Sequence, residues 1–227
     1  IILSKVPEYN FQAQINGAKL HQLNLFERDS SATLSMEILV NLKGSNLDNL
    51  LGRAEIRSFD FTELEDRVQL EKVDAVALTS GRDKTIFLES ENLTAQLTGS
   101  FESSEIETAV GFILRQWAPA IFEKYDHPPA QAQSLQLSIN TTDYSGFSGI
   151  FIPAIEFKDT LNLYVKLNSA DTTLIATLNS PLIDISGNVV QDITGDLDIN
   201  ADSFTLNIDA RGLQMLGFEN LENFTFQ

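Results

Sequence analysis

The sequence predicts a mainly β protein, antiparallel and carrying one amphipathic helix, built either as an elongated curled sheet or as a two-sheet sandwich. Three observations carry that prediction. Apolar and polar residues alternate along most of the chain, turn-forming pairs recur at spacings of about 10 to 15 residues, and one stretch near 104–117 switches to helical spacing. Alternation puts successive side chains on opposite faces of a strand, so each run has one apolar and one polar face.

The clearest early run is 34–43, where Leu34, Met36, Ile38, Val40 and Leu42 alternate with polar residues broken only by Leu39. In 93–98, Leu93, Ala95 and Leu97 form the apolar face. From Ser103 the apolar residues fall at Ile106, Ala109, Val110, Ile113, Leu114 and Trp117, the stripe of a helix spanning roughly 104–117. Ser104 followed by Glu107 reads as a capping box at its start, and Pro119 limits its end. Tyr125-Asp126-His127-Pro128-Pro129 is a connector, because two prolines remove two donors and fix φ. Alternation then resumes with Leu135, Leu137 and Ile139, with Leu161, Leu163, Val165 and Leu167, and with Phe204, Leu206 and Ile208. Asn16-Gly17, Gly44-Ser45-Asn46, Ser80-Gly81-Arg82-Asp83, Ser186-Gly187-Asn188 and Arg211-Gly212 mark the turns. Counting runs between turns gives about 14 strands. The whole of 1–227 reads as one β-rich segment, with a sub-boundary at the helix and connector, 103–133.

Charge and composition narrow the function classes. With 15 basic against 32 acidic residues the net charge is −17, and the basic residues are scattered singly, so no phosphate-binding surface is expected. The absence of cysteine excludes disulfides, thiol nucleophiles and Cys-ligated metals. The longest apolar run, Ala109 to Leu114, is six residues, against the roughly 20 a spanning helix needs. The chain opens Ile1-Ile2-Leu3-Ser4-Lys5 without an initiator Met or signal pattern and reads as an excised piece of a longer protein, with any anchor outside it.

Catalytic chemistry finds no foothold. His21 and His127 are far apart and lack metal-ligand spacing, and there is no nucleophile elbow, dinucleotide fingerprint or P-loop. Asp192, Asp196, Asp198 and Asp202 lack the spacing of a calcium loop, and Asp196 and Asp198 read as a solvated strand face. The helix carries Glu105, Glu107 and a lone Arg115, not the basic face of a membrane-surface helix, and so reads as a cover for the apolar face. The expectation is a non-enzyme with no cofactor and no metal.

Two arrangements can cover the apolar faces: a two-sheet β-sandwich, or a single sheet that curls until its apolar face lines a groove. Recurrent phrases weigh on the choice. Residues 42–61 run from a strand through a G-x-x-L-x-x-L-x-G connector (Gly44, Leu47, Leu50, Gly52) into another strand. A strand ends in Gly99-Ser100-Phe101 before the helix, and 197–226 run through Gly212, Leu213, Leu216-Gly217 and Leu221.

These phrases resemble the TamB family (translocation and assembly module B), particularly its long members from Bacteroidota, and more distantly the AsmA-like proteins. The resemblance covers most of the chain but rests on rhythm, since the family offers no catalytic signature. It implies a hydrophobic β-groove crossing the periplasm of the bacterial envelope from an inner-membrane anchor, lipid transport to the outer membrane, and a part in outer-membrane biogenesis. The implied partners are phospholipid acyl chains and an outer-membrane assembly β-barrel, with membrane contact through parts of the protein outside this segment. On that reading, the apolar residues of the five runs above, Leu34 through Ile208, line the groove. The competing reading is a surface or periplasmic β-sandwich that binds protein or glycan.

Overall fold

The computed structural model describes residues 6–25, 29–64, 66–142, 155–157, 159–214 and 221–226. Thirteen strands are present among them, against the roughly 14 expected from turn spacing, and all belong to one sheet. In chain order they are β1 (Glu8–Lys19), β2 (Thr33–Lys43), β3 (Leu51–Glu63), β4 (Asp66–Ser80), β5 (Asp83–Ser90), β6 (Leu93–Ser100), β7 (Ser134–Thr141), β8 (Ile155–Phe157), β9 (Leu161–Asn168), β10 (Thr173–Ile185), β11 (Asn188–Ile199), β12 (Phe204–Gln214) and β13 (Leu221–Phe226). Spatial order follows sequence order, with β8 alone leaving the path to pair with β10. Every pairing is antiparallel, and the two-residue connections of β4–β5, β5–β6 and β10–β11 allow nothing else. The sheet is open: β1 and β13 are its edges.

This is the curled-sheet alternative and not the sandwich. No second sheet faces the first among the described residues. The accessible surface, 13911 Å², exceeds the about 10,300 Å² expected of a compact monomer of 25.2 kDa. An unstacked sheet has that excess because one layer cannot bury both faces.

Tight turns close the hairpins where the sequence supplies positive φ. Ser186 and Gly187, at φ 53° and 85°, form the two-residue loop between β10 and β11. Gly52 and Gly99 serve close approach instead. A Cβ at either would lie 2.1 Å from a neighbouring strand's carbonyl, that of Asn41 or of Ser134, and both glycines hold φ beyond +120°. The two glycines of the G-x-x-L-x-x-L-x-G connector are thus both backbone requirements, Gly44 having φ 144°.

A bulge interrupts the alternation in the first half. The β2–β3 register slips between Ser35 and Glu37, and Ser58 takes φ 50° to accommodate the extra residue. Ile56 and Phe59, an odd number of residues apart, consequently join one apolar cluster.

The single α-helix, α1 (Ile106–Arg115), follows a 3-10 turn at Ser103–Glu105, close to the predicted 104–117. Its capping differs from the expected Ser104–Glu107 box: no side chain caps the helix N-terminus. Asp48 of the β2–β3 connector instead accepts from the Ser103 amide at 2.8 Å and from its hydroxyl at 2.7 Å. A carboxylate 55 residues upstream has replaced the local cap.

Two apolar clusters stabilise the fold. In one, Ala109 and Ile113 of α1 and Phe101 close over Leu135, Leu167, Leu174 and Ile199, with Phe101, Ala109, Ile113 and Ile199 fully buried. α1 therefore covers the apolar face, as its acidic polar side suggests. In the other, Leu20 closes over Phe59, Phe61, Leu70 and Val73.

Candidate functional site: a two-row apolar trough

Residues directly opposite across antiparallel strands share a face, so the register traces which side chains form continuous rows. One row runs Tyr9, Leu42, Gly52, Ala77, Ile86, Leu97, Leu137, Val165, Ala176, Leu197, Leu206. Beside it runs a second: Phe11, Val40, Ala54, Ala75, Leu88, Ala95, Ile139, Leu163, Leu178, Gly195, Ile208, ending at register position Phe226. No charged residue interrupts either row. The second crosses twelve strands, and eleven steps of ~4.8 Å make it about 53 Å long.

Most of these residues are half-buried. Val40 and Ala77 are buried, while Tyr9 and Phe11 at the β1 edge are each 48% exposed. The rows are thus the floor of a trough whose flanks are the two sealed clusters. A floor two rows wide, with ~7 Å between rows, offers a lengthwise apolar surface without directional polar partners.

The trough's outer face is polar and charged. Glu55 and Asp74 stand directly opposite each other, a like-charge pair that would be destabilising alone. Arg53 bridges them, donating from Nε to Asp74 at 3.0 Å and from a terminal nitrogen to Glu55 at 3.1 Å. Lys72 pairs with Asp74 at 2.5 Å, and Arg57 donates to Glu55. The Lys72 hydrogen bond, helped by Arg53 and opposed by burial, holds the Asp74 carboxyl below its ordinary range.

Lys84 places a charge on the inner face. Lys84 is 3% exposed, sits opposite Thr79 and Gly99, and lies over the Phe101 ring with Nζ 4.5 Å from the centroid. Its ammonium donates to the Phe101 and Arg82 carbonyls and pairs with Asp48 at 3.4 Å. Burial pushes the Asp48 carboxyl up, but the Ser103 amide and hydroxyl and the Lys84 ammonium outweigh it and hold the group below 3.8. Asp48 and Lys84 together clasp the chain where it turns into α1.

Ten of the residues expected to line a groove fall in the two rows: Val40, Leu42, Ala95, Leu97, Leu137, Ile139, Leu163, Val165, Leu206 and Ile208. Ile38 lies one position beyond the second row. Leu34 and Met36 pack against the Leu20 cluster, and Leu135 and Leu167 belong to the cluster sealed by α1. Leu93 and Leu161 are buried, whereas Phe204 is 41% exposed with its ring 5.9 Å from that of Trp117. Sequence reading missed Ile86 and Leu88, because Ile86-Phe87-Leu88 is continuously apolar, and missed Ala54, Ala75, Ala77 and Ala176, whose small side chains give little alternation signal. The cross-strand partnership of Leu178 and Leu197 with residues already identified is the signal that recovers them.

The residues considered for metal or acid–base chemistry do not converge. His127 is exposed beside Asp126 at 3.6 Å, and His21 lies in a 3-10 turn after β1. Asp192 pairs with Arg211 at 2.9 Å, and Asp196, Asp198 and Asp202 are exposed. Among the described residues no group of three or more His, Cys, Asp or Glu could hold a metal ion, and no helix is long and apolar enough to cross a membrane. No protein-family model, no curated protein and no solved structure matches this chain.

Proposed function

We propose that this chain is a segment of a periplasmic β-groove protein of TamB type, which carries phospholipids between the inner and outer membranes with their acyl chains in the trough. The observation that supports this most is the pair of uninterrupted apolar rows, half-buried and about 53 Å long. A two-chain lipid of about 30 methylenes faces something like 20 kcal/mol on entering water, at ~0.8 kcal/mol per methylene. A continuous apolar floor removes most of that barrier without catalysis, cofactor or metal. The polar outer face and the charge of −17 keep such an object soluble. The outer-membrane partner of the full-length protein, an assembly β-barrel, and its inner-membrane anchor belong to the same proposal.

The test is direct loading. The purified chain is equilibrated with vesicles of phosphatidylethanolamine and phosphatidylglycerol, re-isolated, and its extract analysed by mass spectrometry. Co-isolated phospholipid is expected. A Leu163→Asp, Val165→Asp double variant, which places two carboxylates on the floor, lowers loading at least about tenfold, the factor that ~1.4 kcal/mol represents. A lipid-free extract, or equal loading of the folded double variant, overturns the proposal.

A further inference from the structure

β1 is an edge of the sheet, and it is 12 residues long. Its charges stand at its two ends, Glu8 and Lys19, and Tyr9 to Ala18 between them carry neither a charge nor a proline. Its register irregularity lies at the far end, beyond Ile15. Edges are ordinarily kept apart by charges, prolines or bulges along their length, and the middle of β1 has none of these. Tyr9, Asn10, Phe11, Gln12 and Gln14 are exposed. Lys43 neutralises Glu8 at 2.8 Å, and Glu37, opposite Gln14 on β2, accepts from the Gln12 amide at 2.7 Å.

The ladder fixes which backbone groups face outward. The Gly44 amide donates to the Pro7 carbonyl at 3.0 Å, and pairing runs on from there as Glu8 opposite Lys43 and Tyr9 opposite Leu42. Bonded and non-bonded pairs alternate along an antiparallel ladder. Tyr9, Phe11, Ala13 and Ile15 therefore bond to β2, and the amides and carbonyls of Asn10, Gln12 and Gln14 point away from it. Such a row of outward groups takes an added strand.

β1 is complementary to itself. With a second copy laid antiparallel and the two-fold axis at Gln12, Gln12 bonds to Gln12 of the copy and Asn10 to its Gln14, two bonds per pair. Between these pairs Phe11 stands opposite Ala13 and Tyr9 opposite Ile15, a large side chain facing a small one and an aromatic facing a β-branched one. All four lie on the inner face, so the apolar rows pass from one copy into the next. A slip of one residue sets Phe11 against Gln12 or Gln14 and turns the copy's apolar face outward. The other edge, β13, is 6 residues long and carries Glu222, a poorer match for β1.

We propose that β1 is a homodimerisation strand: two copies join edge to edge through an isologous antiparallel β1 pair centred on Gln12, which closes after two chains. The contact is a single strand pair, small against the ~1,600 Å² of a standard interface, so the dimer is weak and concentration-dependent. It does not depend on what the trough holds.

Sedimentation velocity over a rising concentration series is expected to show the one-chain mass passing to the two-chain mass. Added salt should favour the dimer, because it screens the repulsion between two chains of charge −17 and the pair itself holds no ion bridge. Gln12→Pro removes an outward amide and no bond to β2, a position at which an edge strand accepts proline. It should keep the fold, read by circular dichroism, and weaken association at least about tenfold. Disulfide formation in this cysteine-free chain reads the register. Opposed residues of a bonded pair have Cα atoms ~5.5 Å apart, within disulfide reach, so Gln12→Cys is expected to crosslink into a dimer under mild oxidation. Gln14→Cys faces Asn10 of the copy, and the two substituted positions, separated by the Asn10–Gln14 stretch, lie roughly 13 Å apart and should not crosslink. A chain that stays monomeric throughout the series, growth past two chains, dissociation on adding salt, or equal crosslinking at the two positions overturns the proposal. If Gln12→Pro unfolds, the two cysteine variants decide.

Discussion

If the middle of the inner face is an open floor and the core lies beneath α1, truncations at the two places must differ in cost. Ile113 is fully buried among Phe101, Leu135, Leu167, Leu174 and Ile199. Ile113→Ala removes three carbons, a transfer loss of about 2.4 kcal/mol at ~0.8 each, and leaves a cavity that a sheet on one side and a helix on the other cannot collapse. The expected total is about 3 to 4 kcal/mol. Leu163 sits on the floor, only partly buried and outside both sealed clusters. Leu163→Ala also removes three carbons, but only part of their burial is at stake and no enclosed cavity results, so about 1.5 to 2 kcal/mol is expected. Urea unfolding followed by circular dichroism measures both as midpoint shifts at constant slope. Equal losses near 3 kcal/mol would refute the reasoning, because a floor residue costs that much only when something packs on top of it.

Three further predictions follow from particular contacts. Gly99→Ala, at φ 148° with the Ser134 carbonyl 2.1 Å from the new Cβ, should cost about 2 kcal/mol or more, read from the same unfolding curves. Asp48→Ala removes the partner of an ammonium whose side chain is 1% exposed and frees Ser103. It should cost about 2 to 3 kcal/mol and raise hydrogen exchange at the start of α1 before it does so in β9 and β10. The Asp48, Asp60 and Asp74 carboxyls are all held below 3.8, so they bind protons less readily folded than unfolded. Their contribution is therefore complete above 3.8 and is lost as pH falls through their lower folded values, which a thermal-melt series from pH 7 to pH 2 should show as a decline confined to the acidic end.

Much of the sheet was legible because alternation in Leu34–Lys43 and Leu161–Asn168 is a direct record of which face meets water. The helix was legible for the same reason, its stripe matching the side that covers the sheet. The residues that escaped did so where local pattern and tertiary position part company. Ser58 inserts a bulge that puts Ile56 and Phe59 in one cluster, so strict period-two reading assigns one of them to the wrong side. Lys84 looks like an exposed charge in sequence, yet two carbonyls, Asp48 and the Phe101 ring satisfy it inside. Asp48 caps the turn into α1 from 55 residues away, a distance no local motif can register. The trough itself was half legible. Individual strands announced their apolar faces, but which residues stand in one unbroken row depends on register, and register is a property of pairs of strands.

The most direct test of the central claim is site-specific photocrosslinking in cells, with benzoylphenylalanine at four floor positions, Leu42, Leu88, Leu163 and Val165, and at Glu37 and Tyr164 on the opposite face. An open apolar trough that carries lipid predicts phospholipid adducts at the four floor positions and none at the other two. Adducts confined to Glu37 and Tyr164, or spread equally over both faces, would contradict it.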